Sequence, residues 1–178
     1  MTGDPSPFAG KRWLVDAAGI GQGKSGAVEA TPAECQAAAA ALDLLGCGKV
    51  ELSYDLRPMP GQRFRLKARL GADVVQPSIV SLEPVPAKID ETAESELAPE
   101  GSATANAEEG EVDILNAPVI ETFSDGRIDL GRIAFELLSV SLDPYPRKAG
   151  EALPDEGIGD TAEVSPFAAL AALRKDPA

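Results

Sequence analysis

Histidine is absent from the 178 residues, so the commonest general base and the commonest zinc ligand are missing together. Cysteine is scarce: Cys35 and Cys47 are too few for a four-thiolate zinc site, and their spacing matches no zinc pattern. Such a pair reads as reduced cytosolic thiols, with a disulfide between them as the alternative. Aromatic residues make up 4%, so a core must be built mainly from Leu, Val, Ile and Ala. Cations are outnumbered, 16 Lys and Arg against 29 Asp and Glu. The formal charge of −13 argues against broad, non-specific binding of nucleic acid, while leaving room for a local basic patch. No run approaches the roughly 18 apolar residues of a membrane span. Lys11-Arg12 precede only Trp13-Leu14-Val15 before Asp16, which is too short for a secretory leader. The expectation is a cytoplasmic protein with no membrane partner.

What is present is globular. With 44% hydrophobic and 25% charged residues, the chain suits one domain with a real core, spanning 1–178. Residues 11–17 read as a strand, 19–26 as a Gly-rich turn and 27–30 as a strand returning beside the first. Thr31-Pro32-Ala33-Glu34 is a helix start, with Thr as cap, Pro in the first turn and Glu closing a capping box. That helix is expected to run to Leu45 and to end at Gly46. Residues 50–57 and 63–70 alternate with period two about Pro58–Gln62, which predicts an antiparallel hairpin with one buried face. Further strands are expected over 73–82 and 87–97.

Residues 95–111 hold almost no large apolar side chains and read as a low-complexity mobile loop. Structure should resume at Val112. Asp129 then caps a helix striped by Leu130, Ile133, Ala134, Leu137, Leu138 and Leu142, and Pro144 stops it. Ser165-Pro166 opens a short final helix. The fold class is α+β: an antiparallel sheet of about five to seven strands with two or three helices packed against it.

Gly21-Gln22-Gly23-Lys24-Ser25-Gly26 spells the dinucleotide-binding glycine pattern and overlaps a degenerate Walker A. Both motifs need a helix opening at the glycines, so that its amides face a phosphate. Here the helix signal lies at Thr31-Pro32, and a flexible turn fits better. A nucleotide-binding enzyme using Gly21–Gly26 is the alternative to a protein with no active site. The acidic residues Asp90, Glu91, Glu94, Glu96 and Glu100 follow no calcium-loop spacing and read as a solvated stretch. Ser25 and Ser78 have no His to activate them, and Cys35 fits a small core residue better than a nucleophile. No catalytic residue, cofactor, metal or small-molecule substrate is expected.

One feature opposes the global charge. Arg63, Arg65, Lys67 and Arg69 alternate with Phe64, Leu66, Ala68 and Leu70, so four cations share the outer face of one strand beside Arg57. Such a strip could contact phosphates. The competing account is an ordinary charged strand face: closing the turn over 58–62 sets Glu51 against Arg69, Asp55 against Arg65 and Arg57 against Arg63, so two cations gain acidic neighbours.

Two longer segments resemble a known family. Val75-Gln76-Pro77-Ser78-Ile79-Val80-Ser81-Leu82-Glu83-Pro84-Val85 is similar to the central signature of the YceD family, the large ribosomal RNA subunit accumulation proteins. Asp125-Gly126-Arg127-Ile128-Asp129-Leu130-Gly131, through Glu136-Leu137-Leu138 to Asp143-Pro144-Tyr145-Pro146-Arg147-Lys148, resembles that family's Ile-Asp-Leu element, Glu-Leu helix and Pro-x-Pro-Arg. The Ala-Thr-Pro-Ala-Glu-Cys opening of the first helix and Pro166-Phe167-Ala168-Ala169-Leu170 resemble alphaproteobacterial members. Ser78 stands where many members have Cys. The resemblance implies a non-catalytic factor supporting 23S ribosomal RNA accumulation and large-subunit biogenesis, binding precursor RNA or a basic ribosomal protein. The candidate contacts are Arg57, Arg63, Arg65, Lys67, Arg69, Arg127, Arg147 and Lys148.

Overall fold

A computed structural model describes residues 6–102 and 120–151. The chain divides into two units, residues 1–148 and 149–178, and the fold below is that of the first. The expectation of one domain over 1–178 reaches into residues outside the described ones. So do the final helix from Ser165, the resumption at Val112 and the 103–111 part of the expected mobile loop.

Seven strands and two α-helices make an α+β fold: β1 (Leu14–Asp16), β2 (Lys24–Glu29), α1 (Pro32–Ala41), β3 (Gly46–Met59), β4 (Arg63–Pro77), β5 (Pro84–Pro99), β6 (Ile120–Phe123), β7 (Arg127–Asp129) and α2 (Leu130–Ser141). The larger sheet has the order β2-β3-β4-β5-β6, and β1 pairs with β7 in a second, two-stranded sheet. The larger sheet is mixed rather than antiparallel throughout, because β6 runs parallel to β5, Glu96 facing Ile120 and Pro99 facing Phe123.

The helix starts are as the local chemistry dictates. Thr31 Oγ1 accepts from the Glu34 amide, Glu34 accepts from the Thr31 amide, and Pro32 opens α1. The helix ends four residues before Leu45. Asp43 takes the left-handed conformation (φ 52°), and the Leu44 amide bonds back to the Ala39 carbonyl. That is a Schellman turn with Asp in glycine's usual place, so Gly46 is free to open β3. At α2, the Asp129 carboxylate accepts from the amides of Gly131 and Arg132.

The central hairpin is longer than its pattern suggests, and its register is shifted by two. Its loop is Pro60-Gly61-Gln62, with Gly61 and Gln62 at φ 77° and 58°, so Leu56 faces Leu66 and Tyr54 faces Ala68. A shift of two keeps every side chain on its predicted face. Val50, Leu52, Leu56, Leu66, Leu70 and Val74 are all buried. Residues 73–77 continue β4, and 78–82 form its turn rather than more strand. Residues 95–99, expected in a loop, belong to β5, with Leu97 and Ala98 buried.

The N-terminal hairpin does not exist. β1 pairs with β7, Val15 facing Ile128, and β2 pairs with β3, Val28 facing Leu52. Behind β1, Phe8 and Trp13 pack at 5.3 Å between ring centroids, and Phe8 meets Phe135 of α2 edge-on at 6.2 Å. Three of the few aromatics thus meet where α2 and β1 close over the core.

Candidate interaction surface

The glycine motif is resolved by the strand it sits in. Gly21 (φ 57°) makes a turn, and Lys24, Ser25 and Gly26 lie in β2 rather than in a loop ending at residue 26. A Cβ on Gly26 would stand 2.9 Å from the Tyr54 hydroxyl, because the Tyr54 ring lies across the cross-strand glycine. The helix that follows opens at Pro32, after β2, and not at the glycines.

The basic strip lies on the outer face of β4, as its alternation requires. Its neighbours are not those expected. In the observed register Arg65 faces Arg57, Lys67 faces Asp55, and Arg69 faces Ser53; Glu51 faces Gly71. The main acidic partners come from the other side, from β5. Lys67 Nζ lies 2.7 Å from Glu94, Arg63 3.5 Å from Glu96, and Arg69 2.6 Å from Asp90. Hydrogen bonds from Arg69 hold the Asp90 carboxyl below the usual range. Arg57 pairs with Asp55 of its own strand at 2.7 Å. The stretch 90–96, read as a solvated acidic run, is therefore the counter-strand of the basic one. The signal for it was present: Asp90, Glu94 and Glu96 alternate with period two, as do the cations they face.

The remaining candidate cations are dispersed. Arg127 is exposed in β7, opposite Asp16, and Arg147 is exposed after α2. Lys148 pairs with Glu83. That pair belongs to a corner where the two family-like segments meet. Gln76 Nε2 donates to the Asp143 carbonyl at 2.9 Å, and the Ile79 amide to the Pro146 carbonyl at 2.9 Å. Ser78 is fully buried, and its hydroxyl accepts from the amides of Val80 and Ser81. Residues 76–83 and 143–148, some 65 positions apart, thus fold as one feature, with Leu82 (φ 61°) and Tyr145 projecting from it at 75% and 69% exposure.

Cys35 of α1 and Cys47 of β3 are free thiols in contact. Burial and the neighbouring Cys35 thiol push Cys47 up to about 12, the opposite of what a nucleophile or a metal ligand needs. Among the described residues, no three His, Cys, Asp or Glu side chains converge as metal ligands, and no helix is long and apolar enough to cross a membrane. No family model matches the chain, and neither does any curated protein or solved structure.

Proposed function

We propose that this chain is a non-catalytic, cytoplasmic factor of the YceD type that supports 23S ribosomal RNA accumulation, acting by holding a basic ribosomal protein during large-subunit assembly. The observation that carries the choice of partner is the pairing of the β4 cations with the β5 carboxylates. Those contacts pair three of the four β4 cations, Arg63, Lys67 and Arg69, that would have met a phosphate backbone, in a protein of net charge −13. Such a surface complements a basic protein and steers its approach. A sequence without His, which lacks the commonest general base, supports a role without catalysis.

Affinity purification of the tagged protein tests the proposal. Recovery of a basic large-subunit protein that persists after RNase treatment, with reduced 23S levels when the gene is removed, is the expected result. Recovery only of RNA-tethered material, or unchanged 23S levels, overturns it. Direct contact with precursor RNA is the second reading, favoured by the exposed Arg127 and Arg147 and by the Tyr145 ring beside the latter, on which a base could stack. RNase-sensitive recovery would support that reading.

A further inference from the structure

Four segments converge at the end of the large sheet that carries the β3–β4 loop: the turn after β1, Gln62 with Phe64, the end of β5, and the β6–β7 turn. They enclose a cavity of about 570 Å³. Its volume lies in the range of about 300–1,000 Å³ typical of sites for small ligands or inserted side chains. The walls are mixed: Phe64 and Phe123, at 5.9 Å between centroids, lie with Ala17, Ala18 and Pro99 on the apolar part, and Gln62 and Ser124 add polar groups. At the rim stand Glu100 and Asp125, both exposed, and no Lys or Arg lines the cavity.

Neither carboxylate forms an ion pair among the described residues. The contrast with a cavity of about 400 Å³ on the outer face of β3–β5 is direct. That one is lined by Lys49, Arg69 and Lys88, each paired with a carboxylate of the same wall. The end cavity is held in shape by backbone bonds: the Ala17 amide to the Gly126 carbonyl at 2.9 Å, the Glu100 amide to Phe123 at 2.9 Å, and Arg127 to Ser124 at 3.0 Å. Asp125 and Gly126, at φ 54° and 66°, form the tight turn that presents the Asp125 side chain.

Resting on the reading that the partner is a basic protein, we infer that this cavity receives an arginine side chain from it. A guanidinium carries a flat cation that stacks on aromatic rings and offers forked donors to carboxylates. Its methylene stem covers apolar wall. The cavity supplies a complement to each: the small exposed parts of Phe64 and Phe123, the apolar wall beside them, and two carboxylates that form no ion pair among the described residues. A phosphate would meet only negative charge there, which sets the site apart from any RNA contact.

The test uses ¹⁵N-labelled full-length protein titrated with acetyl-Gly-Arg-Gly-amide and with its citrulline counterpart, which keeps the shape and loses the charge. The arginine peptide should shift the amides of Gln62, Glu100 and Phe123–Gly126. Citrulline, or the double change Glu100→Gln with Asp125→Asn, should weaken binding by about tenfold or more, the worth of a charged hydrogen bond. Shifts elsewhere, equal binding of citrulline, or the same amides answering to an RNA oligonucleotide overturn the inference. Undiminished recovery of the ribosomal protein by the double variant overturns the cavity and leaves the assembly role standing. Arginine binding in the cavity without any ribosomal protein recovered from cells supports the cavity and overturns the assembly role.

Discussion

Arg69 donates to Asp90 through two parallel hydrogen bonds of 2.6 Å, Nε to Oδ1 and Nη2 to Oδ2. Asp90 stands opposite Gly71, two residues along the ladder from Thr92, which faces Arg69. The guanidinium therefore reaches two residues along the ladder to meet Asp90. Arg63 and Glu96 form a similar diagonal pair, and Lys67 and Glu94 a directly opposed one.

These pairs predict how the strip responds when they are broken. Changing Asp90→Asn, Glu94→Gln and Glu96→Gln together should leave the fold intact: the Asp90 and Glu94 pairs are exposed and contribute little to stability, and Gln at 96 keeps the shape of the half-buried Glu96. It should also free three cations. Binding to a 23S fragment should strengthen, and its log–log salt slope should steepen by roughly 0.7 for each phosphate newly contacted on single strands. Filter binding between 50 and 200 mM salt measures this. A wild-type slope as steep as the variant's would mean that the row is not neutralised.

Gly131 is required by the backbone of a distant segment. A Cβ there would stand 1.9 Å from the Phe8 carbonyl oxygen, which is main chain and cannot swing aside. Gly131→Ala should destabilise by about 1–3 kcal/mol or more, as overpacking does. Gly71→Ala, which opens into free space, should be close to neutral. Urea unfolding of the two variants side by side gives the comparison. Equal midpoints would show that Phe8 does not pack as described.

The paired thiols should be inert in the folded protein. Burial and the neighbouring Cys35 thiol push Cys47 up to about 12, so it is almost wholly protonated at pH 8. Iodoacetamide at that pH should label it far more slowly than in urea, and mass spectrometry of the labelled peptide reads the rate. Fast native labelling at Cys47 would require an opening motion between α1 and β3.

Acid should weaken the N-terminal region first. Burial pushes the Glu34 carboxyl up, but hydrogen bonds from the Thr31 amide and hydroxyl, from Trp13 Nε1 and from Arg12 outweigh it and hold the group below its ordinary 4.5. A depressed carboxylate contributes stability above its unfolded pKa and loses it as the pH falls through the folded value. Thermal melts should therefore decline below about pH 4.5, and Glu34→Gln should flatten that decline. Thr31→Ala should cost about 0.5–2 kcal/mol as a lost cap. An unchanged acid limb in Glu34→Gln would place the titrating group elsewhere.

Local chemistry made much of this molecule readable in advance. Thr31-Pro32 and Asp129 start helices by bonds that span only a few residues, and the alternation of β3 and β4 assigns each side chain to a face. Signals of that range act before the chain closes on itself. Pairing over long distances obeys different constraints. Nothing near Leu14 records that β1 will meet β7 rather than β2, because any strand offers the same backbone donors and acceptors. The hairpin register was equally hidden: a two-residue shift keeps the apolar pattern intact, and the left-handed Gly61 and Gln62 decide it. Charge was legible residue by residue, but the partners of the strip were not, because a strip is basic or neutral according to the strand beside it. Which strand that is depends on how the core closes: Leu66, Ala68 and Leu70 of β4 must pack inward together, and the β5 carboxylates are then set against the cations.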